Sequence, residues 1–138
     1  MIEIAKNYLI ENECSCVVVK DNKVIYSVNG SGIRPLLNLY KNNKQTLYES
    51  YIADKVIGKA AASFFICAEV KEVFGKVVSE NALTLLKRYN IPVSYDLLVP
   101  DILKIGHDSI CPMEKLSNAS DNPEAIISLI NHFLTNHV

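Results

Sequence analysis

The sequence predicts an α/β domain, because strand-like and helix-like stretches alternate along it around one strongly apolar segment. Two short β-branched runs flank the turn pair Asp21-Asn22, a pattern typical of a β-hairpin. The segment KAAASFFICA carries no charge after Lys59, which indicates a helix that is buried on every side. Between residues 70 and 99, a strand, a helix and a further strand or two follow with short connections. This order is typical of a βαβ unit, whose strands are parallel.

Length and composition narrow the classes of function. The chain of 138 residues has the usual size of a single domain, here 1–138. Its net charge of -1 and pI near 6.3 give no electrostatic reason to expect a nucleic acid or an anionic membrane as a partner. No stretch has the pattern of a secretory signal or reaches about 18 apolar residues, so we expect a cytoplasmic protein. The four cysteines lack metal-site or disulfide spacing, so they are expected to be free thiols, and no cofactor is predicted.

The first part of the chain is expected to form a helix, the hairpin and a second helix. Apolar residues at helical spacing predict the first helix over residues 2–12. Cys14 and Cys16 lie two apart on the first strand of the hairpin, so they are expected to share one face, as buried thiols rather than a metal pair. After a GSG loop, residues 33–40 form a short helix with Pro35 in its first turn.

The central helix is expected to begin within residues 47–53 and to end near Ala68. Asp54, Lys55 and Lys59 would then occupy its first turns. The helix dipole favours an acidic residue there and disfavours lysines, and two lysines four residues apart repel each other. A buried helix with this charge pattern therefore needs an anion to hold, or acidic partners from elsewhere in the fold.

The second part of the chain supplies the βαβ unit. Residues 70–78 form a strand with a bulge predicted at Gly75, and Ser79 caps a helix over residues 80–89. That helix begins at the carboxyl edge of its strand, which is where open α/β sheets bind ligands. After an irregular run, Asp121 or Asn122 is expected to cap a last amphipathic helix.

Five segments resemble a prokaryotic family of uncharacterised domains that is assigned to the cytidine deaminase-like fold. These segments, in chain order, are GSGIRPLL, ADKVIGKAAA, VVSENAL, LLVP and CPME. The resemblance implies a three-layer α/β/α sandwich with a mixed sheet of about five strands, the first two forming an antiparallel hairpin. It does not imply deamination.

The zinc-deaminase motifs are missing from the sequence. Such enzymes place a His or Cys ligand two residues before a glutamate at the start of the buried helix, and a PCxxC pair at the start of the next. The corresponding positions here are Ala53-Asp54-Lys55 and the run that begins at Ser79-Glu80. Without three ligands, Zn²⁺ has no catalytic site there, so we expect no conventional zinc-dependent deaminase.

The predicted function is the binding of a small anionic or nucleotide-like molecule at the N-termini of the two central helices. Glycine loops and helix N-termini suit phosphate or carboxylate groups. The candidate ligand-binding residues are Gly32, Arg34, Lys59, Ser79, Glu80 and Glu114. The alternative is an internal ion-pair network that binds nothing and consists of Arg34, Asp54, Lys55, Lys59 and Glu80.

Other interpretations stay open at this point. Asp54, Lys55 and Cys111 are candidate catalytic residues of a divergent hydrolase or deaminase, with Lys55 as a nucleophile or base. Cys111 could instead be a redox thiol, or form a partial metal site with His107 and Glu114, with Asp108 as a spare ligand. From another class, the chain could be a homo-oligomeric interaction or regulatory module that associates through the apolar faces of its short helices.

Overall fold

A computed structural model describes residues 1–30, 32–103 and 112–136 of the protein. Five strands lie within these ranges: β1 (Cys16–Lys20), β2 (Lys23–Val28), β3 (Tyr51–Ile57), β4 (Glu72–Ser79) and β5 (Val93–Val99). The helices there are α1 (Ile2–Asn12), α2 (Arg34–Asn42), α3 (Lys59–Cys67), α4 (Glu80–Arg88), α5 (Pro112–Ser117) and α6 (Pro123–Asn136). A short 3₁₀ helix, Lys44–Thr46, follows α2. None of the described helices is long and apolar enough to span a bilayer.

The strands form one mixed sheet in the order β2-β1-β3-β4-β5. β1 pairs antiparallel with β2 and with β3, whereas β3, β4 and β5 are parallel. Asp21 and Asn22, both at positive φ, make the turn of the predicted hairpin. The predicted βαβ unit is confirmed as β4-α4-β5, and a second one, β3-α3-β4, precedes it. The architecture is therefore α/β with a mixed five-stranded sheet.

The two faces of the sheet are covered differently. Among the described helices, α1 packs against one face, where Ala5 and Leu9 meet Val17, Val19 and other strand residues. Apolar residues of α2, α3, α4 and α6 cover the opposite face in a larger core cluster. Cys14 belongs to the α1 side and Cys16 packs on the other, so the prediction that the two thiols share a face is wrong. The reason is that β1 begins only at Cys16, and Cys14 precedes it in irregular backbone.

The predicted start of the central helix is also wrong. Residues Tyr51–Ile57 form β3, the middle strand of the sheet, so Asp54 and Lys55 lie on a strand. The helix begins at Lys59, after Gly58 in an extended conformation. The β-branched and aromatic residues of YIADKVI pair with neighbours on both sides, and this tertiary pairing overrides the acidic residue that suggested a helix start.

Near Gly75, the regular alternation of side chains between the two faces of the sheet is interrupted in both β3 and β4. Ile52 and Ile57 contribute to the same core cluster although they are five residues apart, and so do Val73 and Val78. A regular strand would place such pairs on opposite faces. The pairing register between β3 and β4 is constant, so the irregularity is shared by both strands rather than being the bulge predicted for one. A Cβ atom at Gly75 would lie 2.5 Å from Val78 Cγ2, which explains the glycine there.

Candidate functional site

A buried carboxylate from a distant helix caps the N-terminus of α3. Gly58, the residue before the helix, has no side chain with which to cap it. Glu114 on α5 is only 2% exposed, and its Oε1 accepts a hydrogen bond from the Lys59 amide at 3.0 Å. Its Oε2 accepts from the Ile102 amide at 2.7 Å. The negative charge lies where the helix dipole favours it, so the anion expected at this helix start is supplied by the chain itself.

The side chain of Lys59 is buried and ends at an exposed partner. Its Nζ lies 2.7 Å from Oδ1 of Asp121 in the turn before α6, and the two side chains are 7% and 71% exposed. The hydrogen bond and charge of Lys59 lower the pKa of the Asp121 carboxyl. The lysine expected to need an acidic partner therefore has one, but on a residue that the sequence suggested only as a helix cap.

The N-terminus of α4 is capped locally. Ser79 Oγ accepts a hydrogen bond from the Ala82 amide at 3.1 Å, as predicted. Ser79 is fully buried, and its hydroxyl is engaged in this cap. Glu80 follows it at the exposed surface, and Asn81 Nδ2 donates to Asn118 Oδ1 at 3.1 Å. α4 is thus bonded to the turn between α5 and α6.

A small polar recess, here called the Lys59 recess, lies between α3, α4 and that turn. It has a volume of about 40 Å³ and is lined by Lys59, Asn81, Thr84, Leu85, Arg88 and Asp121. The charge of Arg88 also contributes to lowering the pKa of Asp121, although less than Lys59 does. The space suits roughly one water molecule or one small polar group. Besides the carboxylate of Asp121, the lining offers two cations with amide and hydroxyl groups, and these donors favour an oxyanion.

Asp54 forms a separate titratable site on β3. It is partly buried opposite Cys16 in the strand register, and its Oδ1 accepts from the Val56 amide at 3.2 Å. Burial raises the pKa of Asp54 to about 7, against hydrogen bonds from Val56, Lys55 and the Cys16 thiol that lower it. Burial, followed by the charge of Asp54, raises the pKa of the Cys16 thiol well above its usual value, so Cys16 is not a ready nucleophile.

The other predicted residues are dispersed. Arg34 Nη2 donates to the Leu134 carbonyl at 3.4 Å. Leu134 is near the C-terminal end of α6, about 16 Å from the start of that helix at Pro123. Gly32 is exposed at positive φ, with no atom within 4 Å of an added Cβ. Lys55 is exposed on β3. Gly32 and Arg34 are therefore not part of the Lys59 recess.

The predicted ion-pair network takes a different form. Within residues 1–30, 32–103 and 112–136, no ion pair joins two of Arg34, Asp54, Lys55, Lys59 and Glu80. In the same ranges, no three His, Cys, Asp or Glu side chains gather as a metal site would require. The candidates His107, Asp108 and Cys111 lie outside the described residues.

Sequence reasoning missed the residues that complete the recess. Asn81 and Arg88 are ordinary polar residues on the exposed side of an amphipathic helix, and Asn118 and Asp121 lie in an irregular segment. The position of Asp121, two residues before the start of α6, suggests a helix cap. Nothing in the spacing suggests that Asp121 bonds to a lysine 62 residues earlier.

Comparison with known proteins places the chain in a family. A family model described as a domain of unknown function (DUF1893) matches residues 4–134. The chain is similar to a crystal structure of a DUF1893 family protein (TM1506) from Thermotoga maritima, with a TM-score of 0.85 and 30% identity over 95% of this chain and 88% of that chain. No curated protein matches the sequence. Because the family match extends over almost the whole sequence, the chain belongs to the DUF1893 family.

Proposed function

We propose that the protein binds a small molecule carrying a phosphate or carboxylate group, and that this group occupies the Lys59 recess. The observation that carries the proposal is the position of Lys59: its stem is buried, and its ammonium opens into a polar recess where the present partner is the exposed carboxylate of Asp121. Burying a lysine requires compensation by an anion. An exposed carboxylate at the surface is an anion that a ligand can replace.

The lining supports an oxyanion in particular. Arg88 is a second cation, and Asn81 and Thr84 add hydrogen-bonding groups on successive turns of α4. The first amide of α3 does not contribute, because Glu114 accepts from it. The ligand is therefore held by side chains, and the small volume of about 40 Å³ means that only its anionic group enters the recess.

Isothermal titration calorimetry with inorganic phosphate, nucleoside monophosphates and small carboxylates tests the proposal. The wild-type protein should bind at least one of them, and Lys59→Met should abolish that binding. The matched control is Lys55→Met, which removes the same charge from an exposed position on β3. Lys59→Met keeps an apolar stem of similar length in the buried position and leaves without a partner only the Asp121 carboxylate, which is 71% exposed, so the variant should remain folded. Equal affinity in wild type and folded Lys59→Met would contradict the proposal.

We also propose that the sheet is that of the cytidine deaminase-like fold without its hydrolytic centre. The order of hairpin, β3-α3-β4-α4-β5 supports the fold. The residues at the start of α3 are Gly58, Lys59 and Ala60, and Ser79 at the start of α4 uses its hydroxyl as a cap. These residues do not supply the ligands of a deaminase zinc site. Elemental analysis of protein prepared without chelator should give no stoichiometric zinc, and one tightly held zinc per chain would contradict this reading.

A further inference from the structure

We propose that the turn of residues 118–122, between α5 and α6, is a lid on the Lys59 recess, and that Asp121 is an internal competitor for the ligand. The inference rests on the proposed function, because it assigns the regulation of the same site. Before a ligand binds, the turn places its own carboxylate on Lys59. When a phosphate or carboxylate enters, Asp121 leaves and the turn is released.

Two side-chain bonds fasten the turn across the recess. Asp121 Oδ1 accepts from Lys59 Nζ of α3 at 2.7 Å, and Asn118 Oδ1 accepts from Asn81 Nδ2 of α4 at 3.1 Å. Three of these four residues line the recess. The groups that attach the turn are thus the groups that a ligand would contact, so ligand binding and lid attachment compete directly.

The rest of the turn does not depend on these bonds. Its backbone and side-chain hydrogen bonds are local: the Asn118 amide donates to the Glu114 carbonyl, and the Asn122 amide donates to Ser120 Oγ at 3.0 Å. The flanking helices are anchored separately, α5 through Glu114 and α6 through its buried apolar residues. The turn can therefore move away from the recess without disrupting the core.

The exchange keeps Lys59 neutralised throughout. The side chain of Asp121 is 71% exposed, so its carboxylate is already largely hydrated. Releasing this carboxylate into water therefore changes its solvation little. The incoming oxyanion takes over the same ammonium. Exposed ion pairs contribute little to stability, and a modest competitor of this kind should lower the apparent affinity for the ligand by about 1.5- to fivefold.

Calorimetric titration with inorganic phosphate measures this competition in wild type and in Asp121→Asn. Asp121→Asn should bind phosphate about 1.5- to fivefold more tightly than wild type. The matched control is Asp96→Asn, which removes an exposed aspartate from β5 and should leave the affinity unchanged. In a Lys59→Met background, Asp121→Asn should give no gain.

Hydrogen exchange provides the second measurement. Saturation with phosphate should accelerate amide exchange in residues 118–122, and Asp121→Asn should do so without phosphate. If wild type binds phosphate but Asp121→Asn changes neither the affinity nor the exchange of the turn, the lid is overturned and the anion site stands. If neither wild type nor Asp121→Asn binds phosphate or any of the carboxylates and nucleotides above, both proposals are overturned.

Discussion

The N-termini of α3 and α4 are both capped by a side-chain oxygen, but the two capping residues come from different parts of the chain. Both helices have nine residues and follow parallel strands of one sheet, so their first amides open at the same edge. Ser79 caps α4 from three residues away, whereas Glu114 caps α3 from 55 residues away. The first cap is a property of a short peptide. The second exists only when α5 is docked, which ties the start of α3 to the C-terminal part of the fold.

The largest effect should come from removing the distant cap. Glu114→Ala leaves the buried amide of Lys59 and that of Ile102 without acceptors, and should lower the free energy of unfolding by about 3 kcal/mol. Urea denaturation measures this. Glu80→Ala is the control, because that glutamate is exposed at the start of α4 and should change stability by less than about 0.5 kcal/mol. Equal effects of the two substitutions would show that the bonds of Glu114 to these two amides do not stabilise the fold.

The strands that precede the two helices differ at one position of their register, where β3 has the titratable residue Asp54 and β4 has Gly75. Burial raises the pKa of Asp54 to about 7 in the folded protein, from 3.8, so the folded state holds this proton longer than the unfolded state. Stability is therefore greatest below pH 4 for this group and decreases as the pH rises towards 7. We expect Asp54→Asn to flatten this decrease by about 3 kcal/mol between pH 4 and pH 7.

Thermal or urea unfolding of both proteins from pH 4 to 8 measures the effect as a difference, which cancels the other carboxyls. Gly75 cannot be exchanged in the same way, because its added Cβ would meet Val78. Parallel pH profiles for wild type and Asp54→Asn would show that the ionisation of Asp54 is not linked to folding.

A local cap introduced at α3 should conflict with the distant one. A Cβ at Gly58 would lie 3.2 Å from both Glu114 Oε1 and Ile102 Cγ1. Gly58→Ser should therefore destabilise the wild type by about 1 kcal/mol, although serine is usually the better N-cap. In the Glu114→Ala background, where the contact with Glu114 is absent and that with Ile102 remains, the same substitution should restore about 1 kcal/mol. A double-mutant cycle tests this, and additive effects would indicate that the two caps do not share the site.

The smallest effect should follow the loss of the local cap. Ser79→Ala removes one acceptor for the Ala82 amide and should lower the free energy of unfolding by about 1 kcal/mol. Ser79→Asp should retain most of the stability. A loss as large as that of Glu114→Ala would mean that the local cap contributes as much to the free energy of unfolding as the distant one.

The same difference explains what could be read from the sequence. Ser79 followed by an amphipathic run predicts a capped helix, and this prediction is confirmed because all of its determinants lie within four residues. The hairpin, α1 and the cap by Asn122, whose Oδ1 accepts from the Ala125 amide, are local in the same sense. The start of α3 was misplaced because Asp54 looks like a local N-terminal acid.

The site was harder to predict than the fold. Lys59 was expected to need an acidic partner, which is correct, but its partner lies in a turn with no pattern of its own. Arg34 was expected near Lys59 from chain order, whereas it bonds to the far end of α6. Side chains that meet only through tertiary packing leave no periodicity in the sequence. The sequence pattern therefore indicates that Lys59 needs an acidic partner but does not indicate which residue it is.

The long-range cap has a consequence for the protein as it is being made. A ribosome adds about 5 to 20 residues per second, so the 55 residues between Lys59 and Glu114 separate the two partners by roughly 3 to 11 seconds of synthesis. During that interval the start of α3 has neither its cap nor the counter-ion of its lysine. The nascent chain can form the hairpin and α1 early, but the start of α3, the helix that follows the central strand, is completed only when its last partners emerge.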